Sequence, residues 1–173
     1  MRETRRDGGT LRPLARRRQT GRVTASDAER IADIAQQRGL TIAIAESLTG
    51  GAIAQALAKA PDAGSWFAGG VVAYTVATKS RVLGVPEGPV VNAPTARRMA
   101  EGVRELTGAD IALAVTGVGG PGEEEGQPAG TVFLAIVTAD STRVSEFAFD
   151  GEPASVVEQT LAAALHALRT DLG

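Results

Sequence analysis

Three strand-length segments that are apolar at almost every position limit this fold more than any other feature. They span residues 40–45, 69–74 and 110–116. A strand with one face in water alternates apolar and polar side chains, whereas a strand covered on both faces does not. Helical signals lie between them. Ile31, Ile34 and Ala35 recur at helical spacing, residues 52–60 and 78–83 follow the same rule, and residues 94–106 place Met99, Val103 and Leu106 on one face. Two further strands, 130–138 and 143–149, read as a hairpin around Ala139-Asp140-Ser141, and a closing helix runs from Pro153 through Leu168. Strands alternating with helices, ending in a hairpin, predict a three-layer α/β/α sandwich on a mixed, mostly parallel sheet.

The core of such a sheet must be aliphatic, because apolar residues make up 43% of the 173 but aromatics only 3%. That length suits one domain. It is expected over residues 26–173, opening with a capping box at Ser26-Asp27-Ala28-Glu29. Residues 1–25 hold eight arginines against Glu3 and Asp7 and little to bury, which reads as a disordered basic arm. The other 148 residues carry 10 basic and 18 acidic groups. This balance argues against nucleic-acid binding by the folded domain. There is no signal-peptide pattern and no apolar run of about 18 residues, so no membrane association and a cytoplasmic setting are expected.

Composition also narrows the chemistry. Without cysteine, thiol nucleophiles, zinc–thiolate sites and iron–sulfur clusters are excluded. The single histidine, His166, lies mid-helix beside Leu165 and Leu168 and reads as a packing or surface residue. Hydrolytic chemistry would have to use hydroxyls, lysine, tyrosine, carboxylates or backbone amides. Three polar clusters follow strands, where open α/β sheets place their sites. In Glu46-Ser47-Leu48-Thr49-Gly50-Gly51, a hydroxyl precedes glycines that open a helix, so Ser47 and Thr49 are either helix caps or neighbours of N–H groups suited to a phosphate or oxyanion. Tyr74 and Lys79, five residues apart, are either an interfacial Tyr with a surface Lys, or a hydroxyl beside a base. Thr116-Gly117-Val118-Gly119-Gly120-Pro121-Gly122 is a Gly-rich turn, and the run Glu123-Glu124-Glu125 after it reads as a solvated acidic loop rather than a metal site.

Together these segments resemble the C-terminal domain of the CinA competence/damage-inducible family, the nicotinamide mononucleotide deamidases. The likeness rests on Ala45-Glu46-Ser47 with Thr49-Gly50-Gly51, on residues 66–74 with Lys79 and Leu83-Gly84-Val85, on Met99-Ala100-Glu101-Gly102, Gly108-Ala109-Asp110 and residues 116–122, and on Gly130-Thr131-Val132. It covers residues 28–168 in order. The resemblance implies hydrolysis of the nicotinamide mononucleotide carboxamide to nicotinic acid mononucleotide and ammonia. It implies Ser47 as nucleophile, Lys79 and Tyr74 handling protons, and a pocket drawn from Glu46, Thr49, Gly50, Gly51, Thr116, Gly117 and Gly119. No cofactor or metal is expected; a pyridine nucleotide is the expected small-molecule partner, and a homo-oligomer the expected assembly. The N-terminal pyrophosphatase-like domain of many relatives has no expected counterpart in the 25-residue arm.

The chain departs from the family pattern at several polar positions. Gly64 stands where a Ser is usual, Val76 where an Asn is common, and Asn92 where a Ser often precedes the Pro94 helix. Gly151-Glu152-Pro153-Ala154 and Val157 occupy a stretch that tends to carry basic residues. The nucleophile and the lysine are kept while much of the substrate-binding polar shell is not. A catalytically weakened or inactive nucleotide-binding relative, or a scaffold or dimerisation module, is therefore the alternative reading.

Overall fold

The computed structural model describes residues 20–173, with side chains from residue 26 onward. Helix α1 spans Thr20–Arg38, followed by β1 (Ile42–Glu46), α2 (Ala52–Ala58), a 3-10 turn (Ala63–Ser65), β2 (Phe67–Val72) and α3 (Val76–Leu83). Then come α4 (Ala93–Thr107), β3 (Ile111–Gly117), β4 (Thr131–Val137), β5 (Thr142–Ala148) and α5 (Pro153–Leu172). Residues 1–19, most of the expected basic arm, lie outside the described residues. One expectation is corrected here. The helix begins at Thr20, so Ser26 lies in its second turn and the Ser26–Glu29 pattern is not the N-terminus. A capping-box spelling marks a helix start only when no helical residues precede it.

The sheet order is β2-β1-β3-β4-β5. β1 pairs in parallel with β2 and β3, and β4 runs antiparallel to both β3 and β5. Four of the five strands therefore point the same way, and only β4 runs against them. α1, α2 and α5 cover one face, and α3 and α4 lie on the other.

Why the central strands are apolar throughout is visible in how they divide their side chains. Ile42 and Ile44 of β1, and Ile111, Leu113 and Val115 of β3, join the core under α1, α2 and α5. Ala43, Ala45, Ala112, Ala114 and Ala135 face α4. Small residues on one side let α4 lie close to the sheet, and large ones on the other fill the space beneath three helices. Close approach continues between helices. A Cβ on Gly102 of α4 would stand 2.3 Å from the Leu83 carbonyl oxygen, so only glycine lets α4 meet the end of α3. Among the described residues no helix is long and apolar enough to cross a membrane.

Candidate active site

The cavity of about 520 Å³ above the carboxyl ends of β1 and β3 falls in the roughly 300–1,000 Å³ range of small-molecule sites. Ser47 follows β1 directly, and Lys79 reaches the cavity from the first turns of α3. That helix is started by Thr75, whose side chain accepts a hydrogen bond from the Thr78 N–H, and stopped by Gly84 at φ 66°. Lys79 Nζ donates to Ser47 Oγ at 2.8 Å and to the Tyr74 carbonyl oxygen at 3.4 Å. Lys79 is 2% exposed and Ser47 7%, so the pair forms the floor of the cavity. Burial pushes the Lys79 amine below its ordinary pKa, and the carboxylates of Glu124 and Glu125 partly oppose that.

A neutral lysine beside a serine hydroxyl is a base positioned on a nucleophile. Once Nζ has lost its proton, the same 2.8 Å contact carries the serine proton to the nitrogen lone pair. Thr116, at the end of β3, lines the cavity and donates its hydroxyl proton to the Val90 carbonyl oxygen at 2.9 Å. Its oxygen keeps an accepting lone pair for a ligand N–H. The wall beyond Thr116 is main chain at Gly117, Val118, Gly119 and Gly120. A Cβ on Gly117 would meet the Thr131 carbonyl oxygen at 2.4 Å, so glycine is required there by the adjacent strand rather than by a ligand. The N–H groups of Gly119 and Gly120 make no hydrogen bond among the described residues.

Not every expected site residue reaches the cavity. Ser47, Tyr74, Lys79, Thr116, Gly117 and Gly119 line it; Glu46, Thr49, Gly50 and Gly51 do not. Glu46 is 1% exposed and accepts hydrogen bonds from the N–H groups of Gly51 (3.1 Å), Ile53 (3.1 Å) and Ala54 (2.8 Å). Its carboxylate caps α2, where an anion is stabilised by free N–H groups and the helix dipole. The N–H groups expected to bind a phosphate there are already occupied. The Gly50 N–H donates to the Ser47 carbonyl oxygen, and the buried Thr49 hydroxyl has no hydrogen-bond partner among the described residues.

Tyr74 lies at the edge of the Ser47–Lys79 pair. Its main-chain oxygen accepts from Lys79, while the residue is 69% exposed at the cavity mouth and its phenol makes no hydrogen bond to Ser47 or Lys79 among the described residues. Asn92 is the N-cap of α4: its side chain accepts from the Thr95 N–H at 2.8 Å. Arg97 and Arg98 face glutamates of their own helix, Glu101 and Glu105, and do not line the cavity.

Sequence reasoning missed Val90, Val91 and the acidic run. Glu125 accepts from the Val90 and Val91 N–H groups at 2.7 Å each, tying the Gly-rich loop to the wall in front of α4. Glu123 and Glu124 line the mouth. A run of three like charges carries no periodic signal, so nothing in the spelling separates a clamp from a solvated loop.

Residues 24–172 match the CinA C-terminal domain model. The chain is 39% identical over 171 residues to a CinA-like protein of Geobacter sulfurreducens, covering 92% of this chain and 41% of that protein. It thus spans about two fifths of the length of that curated relative. The fold superposes on a CinA superfamily protein of Klebsiella pneumoniae with TM-score 0.82 and 34% identity, covering 86% and 97% of the two chains. A competence/damage-inducible protein of Agrobacterium tumefaciens gives TM-score 0.81 at 32% identity, covering 87% and 95%. Sequence motifs, fold and family model agree, and the chain belongs to the CinA C-terminal domain family.

Proposed function

We propose that this chain is an amidohydrolase that cleaves the carboxamide of a nicotinamide nucleotide, the mononucleotide being the substrate its family resemblance implies. The observation that carries this reading is the buried Ser47–Lys79 contact of 2.8 Å at the floor of a cavity. Ser47 Oγ attacks the carboxamide carbon while its proton passes to neutral Lys79. The tetrahedral oxyanion is met by main-chain N–H groups, and those of Ser47, Leu48, Gly119 and Gly120 line the cavity and donate no hydrogen bond among the described residues. Collapse breaks the C–N bond, and Lys79 returns the proton to the departing nitrogen as ammonia leaves. Water then attacks the acyl-serine ester, gives a proton to Lys79, and releases the acid as that proton goes back to Ser47. Thr116 Oγ1 accepts from the carboxamide N–H and orients it.

Ammonia release from nicotinamide mononucleotide and from its riboside by the full chain tests this reading directly. Turnover of at least one amide is expected, and Ser47→Ala should lower it by about 10⁴-fold or more. A folded chain that releases no ammonia from either amide would instead be a binding relative that has lost the chemistry.

A further inference from the structure

The cavity is sharply divided by depth. Its floor is a buried hydroxyl and a buried amine, whereas its mouth carries Glu123, Glu124 and the exposed ring of Tyr74. The carboxylates at the mouth are not on a free loop. Glu124 and Gln127 exchange two backbone hydrogen bonds, of 3.0 and 2.9 Å. Glu125 spends its carboxylate on the Val90 and Val91 N–H groups, which fixes the chain one residue beyond Glu124. Glu123 and Glu124 are therefore held at the mouth while Glu125 is the anchor.

A nicotinamide nucleotide enters with its amide toward Ser47, so the ring and its ribose extend outward. The ring is a permanent cation, and a cation is attracted both by carboxylates and by the face of an aromatic ring. A phosphate on the ribose brings up to two negative charges to the same mouth and meets repulsion there. Resting on the amidohydrolase reading above, we infer that Glu123, Glu124 and Tyr74 make this site selective for the cationic, unphosphorylated nicotinamide riboside over the mononucleotide. Water screens exposed carboxylates, so the preference is modest, about three- to tenfold, and salt-dependent.

Salt gives the two ligands opposite responses, and that is the test. The full chain carrying Ser47→Ala, which binds without turnover, is titrated calorimetrically with each ligand at about 20 and about 300 mM NaCl, spanning weak and strong screening. The riboside is expected to bind tighter at low salt and to weaken as salt rises. The mononucleotide is expected to strengthen as salt rises. Glu123→Gln with Glu124→Gln, both at exposed positions, should erase most of the difference, and Tyr74→Leu should weaken the riboside alone. Tighter mononucleotide binding at low salt, or affinities that both fall with salt, overturns the selectivity while ammonia release by the native chain still upholds the reaction. If neither ligand binds, the selectivity falls, and ammonia release by the native chain decides the amidohydrolase reading on its own.

Discussion

An ammonium group buried as deeply as that of Lys79 gives up most of its hydration, and only the more distant Glu124 and Glu125 carboxylates offset the loss. If the rate follows the neutral amine, log kcat/KM rises with pH and levels off above the Lys79 pKa, which lies below the ordinary lysine value. Glu124→Gln removes one of the two raising influences, so the rising limb should move to lower pH, and an unmoved limb would assign it to another group. The same shift has a sign for stability. The unfolded chain holds the lysine proton more tightly than the folded one. The burial cost is thus full below the lowered pKa and disappears as pH rises toward the ordinary value near 10.4. Lys79→Met should therefore be inactive yet as stable at pH 7 as the native chain, or more so, in thermal melts. The pairing of Ser47 with Lys79 was implied by the family resemblance, and a composition with no cysteine and one histidine agreed with it. Glu46 was not, since a carboxylate beside a nucleophile and a carboxylate capping the next helix are spelled identically. Only the direction in which the chain turns after β1 separates them.

Among the elements, α3 and α4 form the unit on which the lysine depends. α3 ends at Leu83, one turn beyond Lys79, and Gly102 of α4 lets the Leu83 carbonyl come close. Gly102→Ala would put a methyl group 2.3 Å from that oxygen, so α3 must shift or the helices must part. Overpacking of this kind costs about 1–3 kcal/mol. At about 2–4 °C per kcal/mol for a domain of this size, a melting-temperature loss of roughly 2–12 °C is expected. Because the moved helix carries the base, kcat should fall more than KM rises; an unchanged kcat would detach the lysine from this packing. The helix and strand positions were readable from apolar spacing, including the antiparallel hairpin around Asp140. The division of β1 and β3 into an alanine face and an isoleucine–leucine face was present in the letters too. It gains meaning only once the covering helices are known, since apolar spacing does not distinguish a close helix from a distant one. The start of α1 was misplaced for the opposite reason: the local capping pattern was strong, and the residues before it looked too polar to be helical.

Across the whole molecule, the first and last helices are neighbours on one face of the sheet, so the two ends of the described chain close the same layer. Asp27 of α1 stands 2.9 Å from Arg169 of α5, an ion pair whose alignment is too poor for a directed hydrogen bond. Arg38, at the other end of α1, donates to the Leu172 carbonyl oxygen. Asp27 is buried and Arg169 only partly exposed, so the pair is better shielded than a surface bridge, though not fully desolvated. Asp27→Ala should then cost about 1–2 kcal/mol, between the values for exposed and buried pairs. This contact also sets how far the N-terminus can be trimmed. Residues 1–19 are rich in arginine, with Gly8, Gly9 and Pro13, and offer little apolar surface to bury. Deleting them should leave the melting temperature within about 1–2 °C of the full chain, the range of ordinary surface changes. Deletion through Asp27 removes the ion pair and the first turns of α1, and should lower it by several degrees at least. Thermal melts of the two truncations beside Asp27→Ala separate the contributions. A marked loss on removing residues 1–19 alone would mean that the arginine-rich segment is bound to the acidic domain, and equal stability of both truncations would remove the tie between α1 and α5 from the account of how this fold is held closed.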